Sequence, residues 1–136
     1  MYYNLVLFSF SVHMSISIVV LTSSFPGVVT SPNYPDKYPN DLQNTTTIKV
    51  EKGMIIALKF TAYDVEPSRS TSLCYYDHLT IKDGDESTLM EKTCGNALPQ
   101  GLVSKSNVVK LHFKTDESVA ESGWSVTWSA EKPTGE

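Results

Sequence analysis

Apolar residues in this chain recur at every second position over several stretches, and that spacing predicts strands. In MIIALKF, Met54, Ile56, Leu58 and Phe60 fall on one side while Lys59 falls on the other. In NVVKLHFKT, Val109, Leu111 and Phe113 alternate with Val108, Lys110, His112 and Lys114. In WSVTWSA, Trp124, Val126 and Trp128 alternate with Ser125, Thr127 and Ser129. A strand reads this way when one face is buried and the other is wet. Shorter candidates lie at residues 27–30, 45–50, 78–82, 89–93 and 102–104. Breakers sit where strands must end: PNYPDKYPND holds three prolines, EKG and KDGD supply turn residues, and GNALPQG separates two of the short candidates. No window shows sustained apolar spacing of three and four, so no helix is expected. Short strands separated by turns predict an all-β sandwich.

With 136 residues, 40% of them apolar, the chain is long enough for one domain with a real core and too short for two ordinary ones. Its formal charge is −4, and its 11 Lys and Arg residues are spread along the sequence without clustering. Phosphate binding needs a dense cationic surface, so a nucleic-acid partner is not expected. An acidic balance instead tolerates metal ions or basic proteins. Residues 1–23 carry apolar runs and no Lys or Arg, and they are read as a secretory signal peptide or unstructured leader. The runs fall well short of the roughly 20 residues needed to span a bilayer, so no membrane span is expected. The polar end at 131–136 is read as a tail or the start of a linker.

Two cysteines, Cys74 and Cys94, flank the turn signal KDGDES, which can fold the chain back and bring them together. Two cysteines alone leave open a bridge or a pair of buried thiols. The leader favours the bridge, because it points to an oxidising compartment. Asn44-Thr45-Thr46 is an N-glycosylation sequon, and a glycan on Asn44 would require that part of the chain to face solvent.

Four pieces now form a pattern: GVVTSPNYPDKYPND near the start, CYYDHLTIKDG, the pair Cys94-Gly95, and FKTDESVAESGW before the last strand. In this order and spacing, the chain over 25–130 resembles a CUB domain, with the domain placed at 24–130. The resemblance implies a jellyroll-like sandwich of two antiparallel sheets, in agreement with the strand reading. It implies a secreted, extracellular module that binds and does not catalyse, found beside other domains in larger proteins. Many members have two disulfides. Here Asn44 stands where one of those thiols would sit, so only the bridge Cys74–Cys94 carries over.

The resemblance further implies a calcium site. Matched residue by residue, its three carboxylates fall on Glu66 in AYDVEPS, Asp77 in CYYDHL and Asp116 in KTDES, with Tyr38 hydrogen-bonding the cluster. The loop after Asp116, through Ser118 and Val119, would lend backbone carbonyls. Calcium suits such a set because it takes six to eight oxygens, whereas three carboxylates gathered without a cation repel one another. Asp64, Asp83 and Asp85 are read as turn residues. Similar domains dock a lysine of a protein partner on the calcium-bound carboxylates, so an extracellular protein presenting a basic side chain is the expected partner. The alternative is an adhesin-type module for carbohydrate or glycosaminoglycan, with calcium structural or absent. No nucleophile elbow, HExxH motif or paired-cysteine motif suggests an enzyme.

Overall fold

The computed structural model describes residues 2–9 and 14–22 as backbone strands, and residues 26–69 and 73–134 with their side chains. Parts of the expected leader and the last two residues of the expected tail lie outside the described residues. Two strands come first, β1 (Tyr2–Ser9) and β2 (Met14–Thr22), followed by β3 (Gly27–Thr30), β4 (Leu42–Lys49) and β5 (Ile55–Asp64). Then come β6 (His78–Asp83), β7 (Thr88–Thr93), β8 (Leu102–Val103), β9 (Val108–Lys114) and β10 (Gly123–Glu131). There is no helix among the described residues.

The strands form two sheets, with orders β1-β2-β4-β9-β6-β7 and β3-β10-β5-β8. Residues 26–134 supply four strands to each sheet, all antiparallel. The core lies between the sheets. Ile48, Leu79, Ile81, Val109 and Leu111 from one layer and Ile56, Trp124 and Val126 from the other are fully buried. Burying a side chain of this size stabilises by about 2 kcal/mol relative to leaving it exposed. Tyr38, Phe113 and Trp124 pack edge to face in succession, with ring centroids 4.9 and 5.8 Å apart, and so link the core to one end of the sandwich. At the start of β10, Gly123 has φ +90, and a Cβ there would collide with Ser31 Oγ. Only glycine lets Trp124 N–H reach that oxygen at 3.0 Å.

Three local features depart from the sequence expectation. Residues 2–9 and 14–22, expected outside the fold as a leader, are strands: β1 pairs antiparallel with β2, and β2 runs parallel to β4. The β-branched run that reads as a secretory core is equally suited to a strand. In β5, Phe60 pairs with Val126 and Ala62 with Ser125, so Thr61 is an extra residue and the buried side switches from Phe60 to Tyr63. Beside this bulge, Ser125, expected on the wet face, is buried.

Candidate metal centre

One end of the sandwich is assembled from four loops, and the covalent chain explains how two of them are held. Cys74 and Cys94 form a disulfide with Cα atoms 5.8 Å apart. Next to it, Gly95 and Val65 exchange backbone hydrogen bonds of 2.8 and 2.9 Å in an isolated bridge. The bridge holds the segment that continues into Glu66, and the disulfide holds the segment that leads into Asp77. A half cystine three residues before the aspartate thus anchors the loop from which it projects.

Tyr38 joins the pieces. Its hydroxyl donates to Asp77 Oδ2 at 2.7 Å and accepts the Glu66 N–H at 3.0 Å. Asp116 N–H donates to Asp77 Oδ1 at 2.8 Å, and Asp41 N–H donates to the Asp116 carbonyl at 2.7 Å. Ser118 N–H donates to Asp116 Oδ1 at 3.3 Å. Thr115 locks the base of this loop: its Oγ1 accepts the Leu42 N–H and donates to the Pro39 carbonyl, both at 2.8 Å. The structure therefore brings Glu66, Asp77 and Asp116 together, with one carboxylate oxygen of each lying within 4.8 Å of the others. Val119, in the exposed part of the same loop, has φ 61. That left-handed backbone is rare for a β-branched residue and is the kind of local strain that concentrates at functional sites.

The electrostatics of the cluster are unbalanced. Asp77 is fully buried, and burial pushes its carboxyl up despite the donated hydrogen bonds, with the Asp116 charge adding to the effect. Glu66 is raised to about 7, first by burial and then by the charges of Asp77, Asp116 and Glu121. Glu66 as a residue is half-buried, but its Oε1 is out of solvent and has no hydrogen-bond partner among the described residues. Burial, and next the bond to Asp77, push the Tyr38 phenol far up, so it stays a donor. A buried carboxylate oxygen without a donor is costly, and three carboxylates close together compound the cost. Oxygen donors in this arrangement fit a hard divalent cation.

Sequence reasoning missed Glu121. Its charge acts on Glu66, and its carbonyl accepts the Tyr38 N–H at 3.1 Å. It sits in the quoted FKTDESVAESGW segment, where only the first acidic residue had been singled out. The glycosylation expectation at Asn44 is corrected. Asn44 lies in phase with Leu42, Thr46 and Ile48 on the inward face of β4 and is 2% exposed, with neither amide atom bonded among the described residues. The packing seen here has no room for a glycan at that position.

Two antiparallel sheets, a single disulfide beside an acidic tip and the bonded tyrosine define a recognisable class. A model of the CUB domain matches residues 20–128, and the chain belongs to that family. The match starts within β2, earlier than the boundary expected at residue 24. Over 107 residues the chain is 37% identical to Tolloid-like protein 1 of Homo sapiens, a match that covers 77% of this chain and 10% of that protein. It is 34% identical to cubilin of Rattus norvegicus over 111 residues, with shares of 82% and 3%. It is 36% identical to neuropilin-1 of Homo sapiens over 108 residues, with shares of 76% and 12%. The chain thus spans an eighth or less of each relative's length. Among solved structures, the CUB1-EGF-CUB2 domain of human MASP-1/3 superposes with a TM-score of 0.73 at 32% identity, covering 81% of this chain and 40% of that one. The MASP-1 CUB2 domain, solved bound to Ca2+, gives 0.72 at 29% identity, covering 80% and 96%.

Proposed function

We infer that this chain is an extracellular CUB module that binds Ca2+ through Glu66, Asp77 and Asp116 and uses the same tip to engage a basic side chain of a protein partner. One observation carries the reading: three carboxylates converge to within 4.8 Å, and one of their buried oxygens has no partner among the described residues. The similarity to a CUB domain solved with Ca2+ supports it. Tyr38 would orient Asp77, while Ser118 and Val119 would border the ion from the adjoining loop. Carboxylates that hold a metal keep outward lone pairs, and these can accept an ammonium. The bridge Cys74–Cys94 suits an oxidising compartment, and residues 131–136 would lead toward a neighbouring domain. No catalytic role is proposed.

Thermal melting with calcium and with a chelator tests the ion. Free calcium at ten times the dissociation constant should stabilise the fold by about 1.4 kcal/mol. Asp116→Ala should abolish both that rise and calcium-dependent binding of a lysine-presenting peptide. Coincident melting curves for the wild type with and without calcium would remove the metal. Peptide binding that survives in Asp116→Ala would separate the ion from recognition.

A further inference from the structure

The two sheets present outer faces of different character. On β4, β6 and β9 the outward positions include Lys49, Lys82, Lys110 and Lys114, as on an ordinary solvated surface. The outer side of β3, β10, β5 and β8 is built from small and β-branched residues instead. Register sets them in rows: Val28, Thr127 and Lys59 across β3, β10 and β5, then Ser129, Ala57 and Val103 across β10, β5 and β8. A third row holds Glu131 and Ile55. Their neighbours along the strands, Val29, Ile56, Leu58, Val126 and Trp128, are buried, so the row residues point outward. Val28 and Val103 are 61% and 51% exposed. Asp64, at the tip end of β5, accepts a hydrogen bond from Ser122 Oγ at 3.3 Å. Elsewhere on the outer side of these four strands only Lys59 and Glu131 are charged.

This face can lose its water without stranding its hydroxyls. Thr127 Oγ1 donates to the Lys59 carbonyl at 3.3 Å, Thr61 Oγ1 to the Ser125 carbonyl at 3.2 Å, and Ser129 Oγ to Glu131 Oε2 at 3.1 Å. Donors already engaged within their own sheet need no new partner when covered. Interface cores are depleted of charged residues, and this face shares that composition. Its two charges are opposite in sign, and neither has an ion pair among the described residues. They stand on opposite sides of the Ser129–Ala57–Val103 row. Lys59 pairs with Thr127, four residues before Glu131 on β10, which sets the two charges about 14 Å apart along the strands.

We propose that this face docks a second copy of the chain about a two-fold axis lying along the Ser129–Ala57–Val103 row. Such an axis carries Lys59 of each copy toward Glu131 of the other, so two ion pairs flank a seam of small side chains. Serine and alanine at the axis let the two sheets approach to the usual stacking distance of about 10 Å, and Val103 meets its own counterpart. Self-complementarity of this kind is what an isologous interface requires. A partner bearing charge of one sign fits less well, since it would leave either Lys59 or Glu131 covered and unpaired. Four strands about 4.8 Å apart, the longest of nine residues, give a face on the order of 500 Å², or about 1,000 Å² for two copies. That is the lower limit for a specific interface, which calls for a reversible dimer. Lys59 lies five residues from the tip end of β5, so the dimer would leave both acidic tips free to act together.

The test is sedimentation velocity of the full chain across the micromolar range, run in chelator so that the acidic tip contributes no metal. Wild type should show a monomer–dimer equilibrium. Lys59→Glu and Glu131→Lys should each weaken association at least tenfold, because each sets like charges face to face, with the fold unchanged by circular dichroism. The double variant Lys59→Glu, Glu131→Lys should restore association to within severalfold of wild type. Asp116→Ala should dimerise as wild type does, which keeps this result independent of the calcium reading. A wild type that stays monomeric, or single reversals that dimerise as wild type does, would overturn the proposal. A double variant that stays monomeric would overturn the pairing of Lys59 with Glu131 and the two-fold arrangement with it.

Discussion

Asp77 and Asp83 stand at opposite ends of strand β6, both out of solvent, and the protein treats them in opposite ways. Asp83 meets four donors: the N–H groups of Gly84, Lys105 and Ser106, and the Ser106 hydroxyl. Burial alone would raise its carboxyl, but these bonds outweigh burial and hold it below the usual range. Asp77 receives one phenol and one N–H, and its other neighbours are carboxylates, so it is pushed up instead. One end of the strand is a closed structural clasp that supplies its own positive dipoles. The other is left short of positive charge, the condition under which a cation binds. Burial of an aspartate is therefore no guide to function; the count of donors around it is.

The largest expected effect would break the clasp. Asp83→Ala strands several part-buried donors, and each costs roughly 1–3 kcal/mol when left unpaired. We expect a loss of about 3 kcal/mol, the same with calcium as with chelator, measured by denaturant unfolding. A calcium-dependent loss would show that the two ends are not separate.

Asp77→Asn sharpens the contrast because its effect should depend on the metal. In chelator the substitution removes a buried charge from a crowded carboxylate cluster, and stability should stay within about 1 kcal/mol of wild type. In saturating calcium the variant should forgo the stabilisation conferred on wild type by the ion. A loss of equal size in both conditions would make Asp77 a structural residue like Asp83.

The smallest effect is a trend with pH. Glu66 is raised from 4.5 to about 7 in the fold, so the folded chain binds more protons than the unfolded chain across that interval. Its contribution is fully present below the unfolded value and is lost as pH rises through the folded one. In chelator, melting temperature should therefore drift down between about pH 5 and pH 8. Glu66→Gln should remove the upper part of that drift, between about pH 6 and pH 8, and leave the part due to Asp77, which is raised to about 6.

The strand order of a sandwich is not written in its sequence, but most of its strands are. The eight strands from residue 27 onward overlap the stretches that alternation and breakers mark, because one wet and one buried face leave a plain signal, though β4 begins at Leu42 rather than Thr45 and β5 runs past Phe60 to Asp64. The bulge at Thr61 was invisible, since one inserted residue shifts the phase without changing composition. Asp64 and Asp83 read as turn residues but are the last residues of β5 and β6, and the partners of Asp83, Lys105 and Ser106, lie on a distant loop that no local pattern reveals. The convergence of Glu66, Asp77 and Asp116 is equally non-local: the family pattern named the residues, and only the fold shows their spacing.

Asn44 and Thr46 give two of the four inward positions of β4 polar side-chain atoms that meet no partner among the described residues. The sandwich is thus fastened unevenly, by apolar side chains at Leu42 and Ile48 and by unpaired polar ones between them. An engineer wanting a hardier version of this module has an obvious first place to work. Exchanging Asn44 for an aliphatic residue of similar size would remove the unpaired buried amide and erase the sugar-acceptor triplet in a single change.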